Sequence, residues 1–432
     1  MRHNPRMLDD PHYLHSIVTL GERHPVIAHR PITTVNGIKL VDSGVRLSAA
    51  LYDKLVRHKL LPEIDECLSI ADPVTPAALA AAAQALLDEG GLAGQLARHI
   101  EATAVGRVFA ALPLAPALAF KLTLAREQRP RLFRHSLQVA LCAVILAMQH
   151  PGASDQGLIE AAAAGLFHDL GLLHVDPEVV DRPGALSEQE RHHIYSHPVA
   201  GHLILSRFPE WHPIVSAAVL EHHERLDASG YPRGLGGDDI SPLGQLLAVA
   251  ELAASMFFGQ RSIPLADSVH VVLRLNQGKI NRDIADLLTS LALDGPHTAA
   301  PDAGGVDYSA VLGRLVGLSM AIQHWHQLAG QFADQPIAAL IGRRLERLEH
   351  NLAGIGIDLQ YWVMIDNDLA ADTASLHEMA TGVEEARWQL RAIAQEARRD
   401  WERLQPKHPR ANQEIHAWIA RVEEDEAPGN PA

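Results

Sequence analysis

Two cysteines in 432 residues, Cys67 and Cys142, exclude most of what cysteine builds. With no CxxC spacing there is neither a disulfide framework nor a thiolate metal site. Both read as small buried apolar groups in a reducing, cytoplasmic compartment. Long apolar runs are missing as well. No stretch approaches the ~20 residues a membrane-spanning helix needs; the most apolar, Leu137 to Met148, is short and contains Gln138. The amino terminus runs into Asp9-Asp10 without an apolar signal core. Positive charge is also in deficit, 37 Lys and Arg against 52 Asp and Glu, a net charge of -15. That balance disfavours non-specific binding to nucleic acid or to an anionic membrane, so an anionic substrate would need metal ions or locally placed Arg. What the chain has in plenty is apolar side chains, 47%, enough for two or three buried cores.

Residues 26 to 47 alternate apolar and polar around Asn36-Gly37, a dipeptide suited to a tight hairpin, and predict a small β element. Ser48 then caps an expected helix from Ala49 to Leu61, and Thr75-Pro76 caps an Ala-rich helix reaching Asp88, broken at Gly90-Gly91. Helical periodicity dominates from Leu92, interrupted at Pro113 and Pro116, and Phe133-Arg134-His135 opens a further helix. Ala161 to Leu170 is strongly helix-forming, with Gly171 at its expected stop and His168 and Asp169 in its last turn. Ser187 to Glu190 is a capping box, while Pro198 biases His197 away from helical geometry and places it at a break between helices. Another apolar helix, Leu243 to Phe258, carries Glu251.

Gly295-Pro296 through Gly304-Gly305 has linker composition, and helical periodicity resumes near Tyr308. Leu376, Met379, Val383, Ala386, Leu390, Ile393, Ala397, Trp401 and Leu404 then follow a spacing of three or four. Such a stripe is a coiled-coil dimer contact or one face of an intramolecular bundle, and the bundle is the favoured reading.

The chemistry concentrates in residues 221 to 232, Glu-His-His-Glu-Arg-Leu-Asp-Ala-Ser-Gly-Tyr-Pro. Adjacent side chains on a helix diverge by about 100°, so His222 and His223 reach one centre only where the helix ends, as it must before Gly230-Tyr231-Pro232. A double histidine alone says little, since His192-His193 is a second one. The longer series is more specific: His135, then His168-Asp169, then His197-Pro198, then His222-His223, in steps of 33, 29 and 25 residues between the first His of each. Each step is about one helix plus a loop, so each helix offers a ligand to a shared centre. Imidazoles with a carboxylate suit iron, manganese or zinc, and no thiolate competes. His174, His192, His193, His202 and His212 fit no ligand position and read as structural or solvated; His193 and His197 are an i, i+4 pair that Pro198 disfavours.

This order and these motifs resemble the HD-GYP family of bacterial metal-dependent phosphodiesterases over residues 120 to 292. The resemblance implies an HD-type helical domain at 106–294, and the residue patterns add a small α+β module with a β-hairpin at 1–105, a C-terminal helical domain at 306–424 and a disordered tail at 425–432, a mainly all-α fold. It implies a two-metal centre of Fe or Mn, or else Zn. Asp169 would bridge and carry the catalysis; His135, His168 and Glu251 would complete one ion's set, and His197, His222 and His223 the other's. Arg131 stands where three-metal members have Glu, which limits the expected number to two. Two ions 3.5 to 4 Å apart can activate a water held between them for attack on a phosphodiester. The implied reaction is hydrolysis of cyclic di-GMP, with Arg225, Tyr231, Arg233 and Arg261 at the substrate. Implied protein partners are a diguanylate cyclase or other signalling proteins, and a second copy through the C-terminal helices. Four further departures are visible: Leu172 replaces the family's phosphate-contacting Lys, Glu251 replaces its Asp, Arg261 lies one residue out of register behind Gln260, and the family's Asp-Gly is Asp227-Ala228, a lesser change. Arg131, Arg191, Arg225, Arg233 and Arg261 are the cations available to compensate. The alternative they motivate is a degenerate domain that binds cyclic di-GMP or a partner without turnover.

Overall fold

The structure, a computed structural model, describes residues 11–89, 98–101, 103–150, 152–180, 186–258, 265–293, 307–332, 334–359, 373–406 and 408–424. Gly90-Gly91, Gln260, Arg261, the 295–305 linker and the 425–432 tail lie outside them.

The chain is mainly helical with a small β element near its start. A helix that sequence reading passed over, Pro11–Arg23, comes first and buries Tyr13, Leu14, Ile17, Val18 and Leu20, an i, i+3/i+4 stripe that forces its apolar face inward. Two short antiparallel pairs follow. Ile32–Thr33 pairs with Lys39–Val41 across the turn containing Gly37 at φ +78°, as Asn36-Gly37 predicts. Val26–Ala28 pairs instead with Leu68–Ile70, a strand with no period-2 signal long enough to read in advance.

The helix expected from Ala49 to Leu61 is much shorter. One 3-10 turn, Ala49–Leu51, leads into Tyr52–Val56, and Ser48 makes no side-chain cap; Glu22 Oε1 accepts the Ala49 N–H at 2.9 Å. The segment beyond is claimed by tertiary pairing, since Val35 N–H bonds Lys59 O at 3.0 Å and Leu61 N–H bonds Thr33 O at 3.0 Å. Thr75 does cap its helix, accepting the Ala78 N–H at 3.1 Å with Pro76 in the first turn of Pro76–Asp88. Thr75→Ala should therefore cost about 1 kcal/mol, read as a lower urea midpoint at unchanged slope.

Pro130–Met148 is the central helix. By length and composition it is apolar enough to cross a membrane, the one described helix that is, but here Leu137 and Val139 to Leu146 are buried among neighbouring helices. It packs chiefly on Asp155–Phe167 and Pro242–Phe258. One hydrophobic core runs from Tyr13 through Ala292, joining the amino-terminal helix and strands to these helices. Within it lies a polar knot: Lys121 Nζ is 2.9 Å from Asp65 Oδ2 and donates to Tyr13 Oη at 3.0 Å, with all three residues at most 3% exposed. The His174 ring covers Tyr13 at 4.4 Å.

A second core fills the C-terminal helices Tyr308–Phe332, Pro336–Gly354, Thr373–Arg399 and Pro409–Glu424, and takes in Val271 and Leu275 from Leu265–Leu275. Leu376, Met379, Val383, Ala386, Leu390, Ile393 and Ala397 all point into it. The heptad-like stripe is thus filled within one chain, as the bundle reading expects.

Candidate metal centre

The side chains singled out by spacing reach one place from five helices. His135 sits in the second turn of Pro130–Met148. His168 is the residue after Asp155–Phe167, where the backbone is leaving the helix, and Asp169 follows at φ -101° and ψ 8° before a 3-10 turn, Leu170–His174. Contrary to the expectation from Pro198, His197 is itself helical: it is the first residue of His197–Leu205, where a proline in the first turn is tolerated, and the break from Glu188–Tyr195 falls at Ser196. The Ser187–Glu190 capping box that starts this pair of helices is complete, Ser187 Oγ bonding Glu190 N–H and Glu190 Oε2 accepting Ser187 N–H. His222 terminates Ile214–Glu221, with His223 beyond it, and Glu251 lies midway along Pro242–Phe258.

Gly171 has a different role from the helix stop expected of it, because the helix already ends at Phe167. A Cβ on Gly171 would lie 2.1 Å from the His197 carbonyl oxygen. Its absence lets the turn after Asp169 rest directly on the backbone of His197, which brings the two side chains together.

Three imidazoles are tethered alike. Nδ1 of His168 donates to Gly165 O at 2.8 Å, that of His197 to Ile194 O at 2.6 Å and that of His222 to Val219 O at 2.6 Å. A carbonyl oxygen only accepts, so each Nδ1 carries a proton, and in the neutral ring that a metal ligand requires each Nε2 presents a lone pair. Those lone pairs converge. His197 Nε2 and His222 Nε2 are 3.1 Å apart, and they lie 3.2 and 3.9 Å from Asp169 Oδ1. His168 Nε2 is 3.1 Å from Asp169 Oδ2. Lone pairs facing one another and a carboxylate at such distances repel unless positive charge lies among them.

Two of these atoms, His168 Nε2 and Glu251 Oε2, are buried without a hydrogen-bond partner among the described residues. Orphaned buried acceptors of this kind are costly in a purely structural role and ordinary for metal ligands. The donor atoms divide into two sets, His135, His168 and Asp169 in one and His197, His222 and His223 in the other, each lying within 4.8 Å of one another. Glu251 Oε2 stands 3.7 Å from His223 Nδ1. The residues fit a pair of divalent ions with Asp169 facing both sets.

The electrostatics agree. Burial, then the neighbouring His168, push His135 down to about 4. Burial, then adjacent imidazoles, also hold His222 and His223 well below the usual range, which keeps them neutral as ligands must be. Burial opposes ionisation of Asp169, yet His168 and His197 hold its carboxyl well below the usual carboxylate range. At His168, burial favours the neutral ring but is outweighed by Asp169 and then Glu251, which push it up to about 9. Burial raises Glu251. Two buried carboxylates, with His135, His222 and His223 held neutral and His168 alone drawn toward the protonated form by those carboxylates, make a pocket that calls for cationic charge.

Around this pocket Tyr231 stacks on His223, centroids 4.6 Å apart at 24°. Arg225 Nη1 donates to the His222 and Glu224 carbonyls, both at 2.9 Å, and Arg233 Nη2 to Glu221 Oε1 at 2.8 Å. Leu172 is buried at 8% exposure in the 3-10 turn. His192 and His193 are exposed, while His202 and His212 bond Ser216.

Sequence reading missed the residues that build the 224–235 loop. Glu224 accepts the Arg233 and Leu235 N–H groups at 2.7 and 2.9 Å, and Glu221 Oε2 accepts the Ser241 N–H at 2.9 Å. Both carboxylates flank the double histidine, and their burial there is the signal that a loop is wrapped on them.

Residues 120–256, which hold every one of these candidate ligands, match a family model described as an HD domain. A cyclic di-GMP phosphodiesterase of Pseudomonas aeruginosa is 33% identical over 132 residues, 30% of this chain and 32% of that protein. A 3'3'-cGAMP-specific phosphodiesterase of Vibrio cholerae is 35% identical over 118 residues, 27% of this chain and 25% of that protein. The chain thus spans about a third or less of the length of these curated relatives. Among solved structures, a HDG"Y"P protein from Bdellovibrio bacteriovorus aligns with a TM-score of 0.35 and 15% identity, over 62% of this chain and 95% of that one.

Proposed function

We propose that this chain, a member of the HD-GYP family, is a cytoplasmic, metal-dependent phosphodiesterase acting on a cyclic dinucleotide, cyclic di-GMP in the first place. The observation that carries the reading is the convergence of the His168, His197 and His222 Nε2 atoms on the Asp169 carboxylate. Asp169 would face two ions, with His135 and His168 on one side and His197, His222 and His223 on the other. Glu251 would complete the pocket beside His223. When bound, such a pair activates a water and offsets charge building on the phosphate. The chain's own residues orient the site: the Nδ1 tethers fix ring direction and Tyr231 covers His223. Arg225 and Arg233 retain further guanidinium N–H groups beyond their loop contacts and are the cations nearest the double histidine in sequence.

A second reading, a cyclic dinucleotide sensor without turnover, is favoured by Leu172. A buried Leu offers no donor to phosphate where family members place Lys, a loss worth roughly 2.7–4 kcal/mol of transition-state stabilisation. Metal analysis of anaerobically purified protein, with turnover assays on cyclic di-GMP and 3'3'-cGAMP, separates the readings. About two ions per chain, hydrolysis of cyclic di-GMP and its loss on chelation are expected. Full metal with saturable binding and intact nucleotide recovered would establish the sensor instead, and protein that takes up no metal would overturn both.

A further inference from the structure

The His223 ring is held differently from the other three central imidazoles. It has no Nδ1 bond to a carbonyl three residues back among the described residues; Tyr231 stacks on one face at 4.6 Å, with the His222 ring at 4.0 Å and Glu251 Oε2 3.7 Å from Nδ1. Tyr231 in turn is held from outside the 120–256 segment. Arg399, in the last turn of the C-terminal helix Thr373–Arg399, lies over both the Tyr231 ring, at 5.4 Å, and the Tyr195 ring, at 5.2 Å. The two tyrosine rings touch at 4.6 Å, and Tyr195 Oη donates to Gln395 on the same helix at 2.9 Å. Arg399 Nη2 also donates to the Ser229 carbonyl at 2.9 Å, two residues before Tyr231.

The other end of the loop is gripped as well. Asp227, whose side chain is 2% exposed, takes Arg344 Nη1 at 3.0 Å and Arg347 Nη1 at 2.9 Å from Pro336–Gly354, and its other oxygen takes Ser229 N–H and Oγ. Arg344 is held in turn by Glu396, on the same helix as Arg399, at 2.8 Å.

We infer that Arg399 is a positioning residue of the metal centre: through Tyr231 it sets the direction of the His223 ring, so the C-terminal bundle completes the ligand set from outside. A cation over two touching, tilted rings is a directional contact, and an outer partner that orients a ligand typically controls metal affinity by about 10–100-fold. Glu221 and Glu224 fix the loop backbone from the metal domain's own side, so removing Arg399 frees the aromatic stack without unwinding the loop. The inference rests on the proposed metal reading, and the experiment keeps the two apart.

Full-length wild type, Arg399→Ala, Arg399→Lys and Tyr231→Leu are titrated with Mn2+ by calorimetry, with thermal melts of the metal-free proteins alongside. Wild type should take up two ions. Arg399→Ala should weaken one of the two by about 10–100-fold and leave the other unchanged, Arg399→Lys should recover part of the loss, and Tyr231→Leu should reproduce it. The double variant Arg399→Ala/Tyr231→Leu should be no worse than the weaker single, because both act through one ring. Two wild-type affinities in Arg399→Ala, or strictly additive losses in the double variant, overturn the inference while the metal reading stands. No uptake by wild type overturns both. A fall in melting temperature with unchanged Mn2+ affinity marks Arg399 as structural only and likewise overturns it.

Discussion

Asp169→Ala should strip the centre of both ions at once, reducing metal from about two per chain to below one and turnover by at least ~1000-fold. The reason is geometric. One carboxylate oxygen faces His168 at 3.1 Å, the other faces His197 at 3.2 Å and His222 at 3.9 Å, so a single side chain serves both ligand sets. Glu251, the other carboxylate of the site, has its Oε2 3.7 Å from His223 Nδ1. Asp169→Asn keeps the volume but removes the charge and should fail equally, whereas His135→Ala should cost mainly one ion. Metal analysis on variants shown folded by circular dichroism decides the matter. Retention of two ions by Asp169→Ala would remove the bridging role.

The second large effect lies far from the chemistry. Asp65→Ala leaves the Lys121 ammonium, 1% exposed, without its carboxylate and with only Tyr13 Oη for company. Breaking a buried pair on one side costs about 3–5 kcal/mol, a drop in melting temperature of roughly 10 °C for the core that contains it. Removing every polar member together, as Asp65→Leu/Lys121→Met/Tyr13→Phe, should recover most of that loss because nothing uncompensated remains. A triple variant as unstable as Asp65→Ala would mean that packing, rather than the stranded charge, sets the cost. The knot joins the Pro11–Arg23 helix to Pro116–Gln128, so calorimetry should see the amino-terminal elements melt with the metal domain.

Much of the site was legible because ligand chemistry restricts residue type and helix geometry restricts spacing. His135, His168 and Asp169 gather in one set and His197, His222 and His223 in another, while Glu251, expected with His135 and His168, has its Oε2 3.7 Å from His223 Nδ1; Thr75 and Ser187 mark helix starts that the backbone obeys. What escaped was decided by distant partners. The helix begun at Ala49 stops early because Lys59 and Leu61 pair with Val35 and Thr33. Gly171 looked like a stop because its contact, the His197 carbonyl, is 26 residues away in sequence. Arg344 and Arg399 carry no local mark at all, since their partners Asp227 and Tyr231 are more than 100 residues upstream.

In the proposed metal site, the carbonyl tethers of His168, His197 and His222 would make the final turns of three helical segments part of the coordination shell. A ring hung from the carbonyl three residues back cannot keep its aim if that turn frays. Ion occupancy should therefore be written into amide hydrogen exchange, with protection near residues 165–168, 194–197 and 219–222 rising and falling together as the centre fills and empties.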